Sequence, residues 1–541
     1  MRGSRNIEFL ETEHGEIVVC DVLVVGGGLA GCEAALAAAR EGASVVLASA
    51  GATFSGSSAF PGTWGLGLVG PAGEKDEDDL VRTICEVGRG MALPALARTL
   101  VRGVAAAVGR LEERGVELRV PERAGERDYV PCFDHAHRDW HGLVRSSYRM
   151  ATLAALEGAG VHELPRCELA GLWRRADGRV EGADLFDAGR GSWAQVSAGA
   201  VVLATGGFGG LFSRTLTTPD VLGTAAATAL NAGARLVNVE FIQIMPGLVA
   251  PVRGVVFNEK TFRFARVAGV EGSGARALLD ARSGHGPFSA SLPDRAVDLA
   301  VAQAGGRGAE VAFELPEELP EFMSAYFDWF ARTYRVRAER GVRIAPYAHA
   351  SNGGILVDER ASTGVGGLFA CGEAAGGMHG ADRIGGLASA NALVFGEIAG
   401  REAAREALEL PRPKALALWG PSEVGSSASG EVLAELRRAL DEHALLTRSE
   451  RGLLALRERV TDLEGRLGEG CRAGTPAEAM LEVRTELALT SARALAAAML
   501  ERRESRGAHY REDLPAEDPA QARPLVVSLS QGGEPVAAPL A

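Results

Sequence analysis

Cys20-Asp21-Val22-Leu23-Val24-Val25-Gly26-Gly27-Gly28-Leu29-Ala30-Gly31-Cys32-Glu33 is the stretch that decides the fold. Val22 to Val25 is a short apolar run and reads as a buried parallel strand. Gly26, Gly28 and Gly31 then give G-x-G-x-x-G, and Glu33 to Arg40 reads as an alanine-rich helix. The first glycine allows a tight turn, the second lets the backbone approach a pyrophosphate, and the third lets helix and strand pack closely. The helix N-terminus offers unpaired N–H groups and a partial positive charge to phosphates. A second strand, Ser44 to Leu47, follows. The triplet therefore stands in the strand–turn–helix–strand context that a dinucleotide site needs.

Working outward, the chain of 541 residues is too long for one core. Hydrophobic residues make up 47% and charged residues 23%, as in ordinary globular proteins. The net charge is -13 and no long basic run occurs, which argues against nucleic acid or an anionic membrane surface as the main partner. The seven cysteines are widely spaced without a C-x-x-C, which fits a reducing cytoplasm and argues against an iron–sulfur cluster, a structural zinc or a covalent haem. The first residues are polar and charged, with no apolar segment of signal-peptide type. No apolar run is long enough for membrane insertion.

Residues 1 to 20 read as an edge strand leading into the sheet. The small-residue loop from Ser49 to Gly62 suits close approach to a flat ligand. No acidic residue ends the second strand, and Ser49 is the nearest polar group, which weakens a nicotinamide reading more than a flavin one. Asp79 to Arg114 reads as two helices broken near Gly88 and Pro94. Cys132 to His141 carries three histidines and two aspartates, but their spacing is poor for a metal, and no metal is expected. Val161 to Ala198 reads as a small antiparallel sheet. Ala200 to Ala204 is a second buried strand with a glycine exit, Thr205-Gly206-Gly207, as a two-lobed dinucleotide site requires.

From Pro246 to about Ala345 prolines, acidic residues and aromatics rise, which reads as an inserted domain that closes over the ligand and excludes water. Glycine-rich αβ character returns at His349 and runs through Gly372-Glu373 to Arg383. Pro411 to Gly430 is a linker. Three helices with apolar residues at three-and-four spacing follow: Glu431 to Leu446, Glu450 to Leu467 and Ala477 to Arg503.

Four stretches together resemble the flavoprotein subunit family of succinate dehydrogenase, fumarate reductase and L-aspartate oxidase. They are the glycine strand–helix, Ala204-Thr205-Gly206-Gly207 with Glu240-Phe241-Ile242-Gln243, Gly372-Glu373 with His379-Gly380-Ala381-Asp382-Arg383, and Glu504-Ser505-Arg506-Gly507-Ala508-His509-Tyr510. The resemblance covers about residues 18 to 515. It implies an α/β fold: a Rossmann-like FAD-binding domain (1–245 and 346–410), an inserted α+β capping domain (246–345), a C-terminal helical domain (411–515) and an extended tail (516–541). It implies that Gly26, Gly28, Leu29, Ala30, Gly31, Ser49, Ser57, Thr205, Gly206, Glu373 and Ala388 bind FAD. In several relatives a loop histidine is bonded to the flavin. Ser57 stands there in this chain and the loop has no histidine, so FAD is expected to be non-covalent.

The resemblance also implies hydride transfer between flavin N5 and a carbon next to a carboxylate. Arg383 and His349 match the carboxylate-binding positions, and Arg295 matches a proton-shuttling arginine of the capping domain. Two departures matter. Met245-Pro246-Gly247 replaces a histidine-proline-threonine, and Leu387-Ala388 replaces Asn-Ser. Both make the pocket less polar, so a carboxylate with one apolar arm is the expected substrate. Three functions are compatible: a reductase or dehydrogenase of this type exchanging electrons through a partner protein, an L-aspartate oxidase making iminoaspartate for NAD synthesis, and a non-catalytic flavin-holding subunit.

Overall fold

A computed structural model describes residues 6–12, 15–414 and 424–540. The linker expected over 411–430 lies in part, at 415–423, outside the described residues. The apolar run of the opening stretch lies in the central strand Gly15–Val25 of an eight-stranded sheet. Val45–Ser49 and Ser192–Leu203 flank it in parallel, and Leu368–Ala370 adds beside the latter, also in parallel. Val22, Leu23 and Val24 are fully buried, because helices cover the sheet. Glu8–Thr12 pairs antiparallel with Gly15–Val25, so of the edge strand expected over 1–20 residues 8–12 form one, whereas 15–20 already belong to the central strand.

Two sequence readings are corrected here. The helix after the glycines spans Leu29–Arg40, so it starts four residues earlier than Glu33 and includes Gly31. The antiparallel segment and the second buried strand are one piece, because Ser192–Leu203 runs through Gly199 without a break. Its first half pairs antiparallel with Val180–Asp187 and its second half parallel with Gly15–Val25.

A second sheet has the order Ile242–Ala250, Val342–Ser351, Ala309–Phe313, Ala265–Val267. It carries an apolar cluster of its own, including Leu248, Phe257, Phe262, Phe330 and Ile344. The helices Arg295–Gln303 and Glu321–Tyr334 contribute Val297 and Phe327 to that cluster. Farther on, Ser429–His443, Glu450–Glu469 and Pro476–Glu501 bury Leu436, Leu456 and Leu495. The tail is extended but not free. Leu525–Leu529 pairs with Leu236–Val237, and Pro535–Pro539 folds back on it, because Leu525, Val526 and Val527 are apolar and become buried. Among the described residues no helix is long and apolar enough to cross a membrane.

Candidate active site

The glycine fingerprint forms one wall of a cavity of about 740 Å³, within the usual range for ligand sites. Gly26 has φ +117, and a Cβ there would lie 2.2 Å from the Ala204 carbonyl oxygen. A Cβ on Gly31 would lie 1.7 Å from the Gly26 carbonyl oxygen. These two glycines seat the first strand on the second and the helix on the strand. Gly28 caps the helix and opens to the cavity, and the first turn carries no acidic residue. This N-terminus suits phosphate oxygens. The N-terminus of a second helix, Leu387–Glu409, reaches the same cavity through Ala388 and Ser389.

Of the residues expected at the cofactor, Gly26, Gly28, Leu29, Ala30, Ser49, Ser57, Thr205, Gly206, Glu373 and Ala388 line the cavity, whereas Gly31 lies behind it in the helix–strand contact. The buried hydroxyl oxygens of Ser57 and Thr205 have no hydrogen-bond partner. Glu373 accepts from the Ser351 N–H at 2.9 Å, and burial raises its carboxyl above the ordinary range. Orphaned hydroxyls, a buried carboxylate and two helix N-termini fit the hydroxyls and pyrophosphate of FAD.

At another part of the wall Arg383 is 8% exposed. Its Nη2 donates to Gln243 Oε1 at 2.7 Å, Nη1 contacts the Ile384 carbonyl at 3.4 Å, and Nε has no partner. Burial pulls the guanidinium below its ordinary value, and Glu373 opposes that. His349, on Val342–Ser351, is pushed down to about 3 by burial and by the Arg383 charge, so its imidazole is neutral at working pH, and its Nδ1 has no partner. Met245, opposite Tyr347 in the strand register, lines this part too.

Arg295 is corrected. It opens the helix Arg295–Gln303, outside the residues that line the cavity. Its Nη1 donates to the carbonyls of Ala290 and, at 3.1 Å, Pro515, and its guanidinium lies 5.6 Å from the centre of the Tyr510 ring. The C-terminal segment thus offers it one carbonyl and an aromatic face, while Asp298 is taken by Arg282 and Asp294 by His285. The histidine-rich stretch is organised around Arg138, which pairs with Asp134, Asp76 and Asp79.

Three wall residues carry no signal in the sequence: Cys132, Glu259 and Lys260. Glu259 and Lys260 are each 4% exposed and open the short helical turn Glu259–Phe264. The Cys132 thiol, pushed up to about 12 by burial and the Glu259 charge, donates to Glu259 Oε1 at 3.3 Å. They place polar groups in the same wall as the apolar Met245 and Ala388. A polar triplet such as Asn258-Glu259-Lys260 reads as a surface turn until the inserted segment is folded.

Two further motifs prove to be one assembly. Glu240 Oε1 accepts from Arg502 Nε and Nη2 at 2.9 and 2.8 Å, and Glu504 accepts from Arg502 and Arg506. This buried network joins Glu240-Phe241-Ile242-Gln243 to the segment that begins at Glu504, and Gln243 carries it on to Arg383.

Comparison with known proteins agrees. An FAD binding domain family model matches residues 21–388, and a fumarate reductase flavoprotein C-terminal model matches 433–532. The chain is 29% identical to a fumarate reductase (CoM/CoB) subunit of Methanothermobacter marburgensis, over 95% of this chain and 98% of that one. It is 31% identical to L-aspartate oxidase of Halobacterium salinarum, over 92% and 98%. Quinol fumarate reductase FrdA of E. coli has the same fold, with a TM-score of 0.81 at 20% identity over 97% of this chain and 96% of that one. Glycine turn, cavity and family models converge: the chain belongs to the FAD-dependent oxidoreductases of the succinate dehydrogenase, fumarate reductase and L-aspartate oxidase family.

Proposed function

We propose that this flavoprotein is a reductase or dehydrogenase acting on a carbon–carbon bond next to a carboxylate, with FAD held non-covalently and electrons exchanged through a partner protein. When bound, FAD supplies or accepts the hydride. The observation that carries the reading is that Arg383 and His349 face one cavity, each with a nitrogen that has no partner among the described residues. The Arg383 guanidinium gives a carboxylate charge-assisted hydrogen bonds in a site from which water is largely removed. Gln243 fixes the guanidinium plane. His349, uncharged, adds a directional hydrogen bond without adding charge. Ser57 cannot form the imidazole–flavin bond.

The test is anaerobic. Reduced enzyme is mixed with fumarate or but-2-enoate and flavin reoxidation is followed. At least one enoate should reoxidise it, about a hundredfold more slowly in Arg383→Met, and acid precipitation should leave the flavin in the supernatant. Failure of every enoate, or an unaffected Arg383→Met, would sink the reading. One observation favours L-aspartate oxidation instead: Glu259 is a wall carboxylate with no ion pair among the described residues, and it could hold a substrate ammonium. Hydrogen peroxide release with aspartate would decide for that alternative.

A further inference from the structure

Three cationic side chains line the cavity: Arg119, Lys260 and Arg383. Arg119 is exposed, whereas Lys260 and Arg383 are buried. Lys260 comes from the inserted segment and Arg383 from the stretch after it, so the two cations reach one cavity from separate parts of the chain. The Lys260 ammonium has three protons to donate. It donates to the Val130 carbonyl at 3.4 Å, and among the described residues it forms no ion pair. A buried ammonium left in this state is costly unless a counter-charge arrives.

Two features bear on what that counter-charge is. The neighbouring Glu259 accepts from the Cys132 thiol and forms no ion pair with Lys260 among the described residues. The position of Gly286 shows where this group sits: a Cβ there would lie 3.4 Å from Cys132 Sγ, 3.4 Å from Met245 Cε and 3.5 Å from Glu259 Cδ. Cys132 in turn packs on Gly385, two residues beyond Arg383. The Lys260 ammonium itself reaches the Val130 carbonyl, two residues before Cys132, which puts it beside the Met245–Arg383 end of the cavity. Asn258 fixes the backbone there, its side chain accepting from the Lys260 N–H at 3.1 Å.

We propose that Lys260 is a substrate-anchoring residue, its ammonium binding a second anionic group on the molecule whose first carboxylate Arg383 holds. The inference rests on the reading of this cavity as a carboxylate site. It gives the site a second anchoring cation, and it replaces the apolar arm expected from Met245 with a charged one.

Fumarate and but-2-enoate share a four-carbon skeleton and differ in carboxylate against methyl at one end, so they are the probes. In reoxidation of the reduced flavoprotein, Lys260→Met should raise the half-saturating fumarate concentration about tenfold to a hundredfold. It should leave but-2-enoate within about twofold, since that ligand brings no second charge. Lys260→Arg should recover most of the fumarate affinity, and perturbation of the oxidised flavin spectrum by succinate should follow the same order. An equal loss for both enoates, no loss for either, or no recovery in Lys260→Arg would overturn the assignment. If Arg383→Met abolishes both reactions while Lys260→Met changes neither, the carboxylate reading stands and Lys260 is excluded. If wild type reacts with neither enoate, the carboxylate reading itself falls, and the Lys260 assignment falls with it.

Discussion

His349 is held neutral by its burial and by the guanidinium beside it. In the folded protein it takes up a proton only near pH 3, whereas in the unfolded chain it does so near 6.5. A depressed value means that the stability it contributes is full above about 6.5 and is lost as pH falls through the window down to about 3. Compared with His349→Gln, the wild type should lose about 2 kcal/mol more on going from pH 6.5 to pH 5. Denaturant titrations of both proteins at the two pH values measure this, and parallel losses would show that the imidazole is solvated. Legibility at this scale is uneven. Arg383 and His349 can be placed by motif, because the chain on either side of them is rigid sheet and glycine turn. Arg295 cannot, because its direction is set by carbonyls of Ala290 and Pro515 and by the Tyr510 ring, partners that sequence does not bring into view. Lys260 leaves no signal, since a lysine beside a glutamate is ordinarily a wet surface pair.

Two helices point their N-termini at the cofactor cavity, and they do so by lying against each other almost backbone to backbone. A Cβ on Gly396 would come within 2.5 Å of the Ala30 carbonyl oxygen, and one on Gly400 within 2.0 Å of that of Ala34. The small-residue face Ala30-x-x-x-Ala34 meets Gly396-x-x-x-Gly400, so neither helix can move away without tilting its N-terminus. Gly400→Ala should therefore cost about 1–3 kcal/mol by forced separation and weaken FAD retention, although Gly400 does not line the cavity. Thermal unfolding and flavin release on dilution report the two effects, and a variant with unchanged melting and retention would contradict the packing argument. The strand–turn–helix unit is legible from its glycines, but the helix begins earlier than they suggest. Gly28 and Gly31 are poor helix formers, and only the close approach to Gly26 shows why Gly31 is tolerated in the first turn. Ser192–Leu203 hides its continuity at Gly199 for a similar reason: a glycine that reads as a turn is in fact where Ala407 crosses the strand.

On the scale of the molecule, the substrate wall and the C-terminal segment are tied through buried charge. Arg502 and Glu240 are 1% and 0% exposed and form an ion pair, and Arg502 also meets Glu504. Arg502→Met should remove the ion-pair partner of Glu240 and cost about 3–5 kcal/mol, which guanidinium unfolding would measure. A cost below about 1 kcal/mol would show that Glu240 is neutral or hydrated. The order of domains can be inferred from composition shifts and from family resemblance. The role of residues beyond 515 cannot, because pairing with Leu236–Val237 joins segments nearly three hundred residues apart and leaves no local periodicity to read.

That pairing has a consequence for how the protein is made. The small sheet running from Ala375–Gly376 through Gly354–Leu356 and Leu236–Val237 is continued by Leu525–Leu529 and ends at Pro535–Pro539. A nascent chain on the ribosome holds Leu236–Val237 with one edge bare until translation has passed Leu525–Leu529. Closure of this sheet is therefore a late event in synthesis, although three of its five strands are made more than a hundred residues earlier.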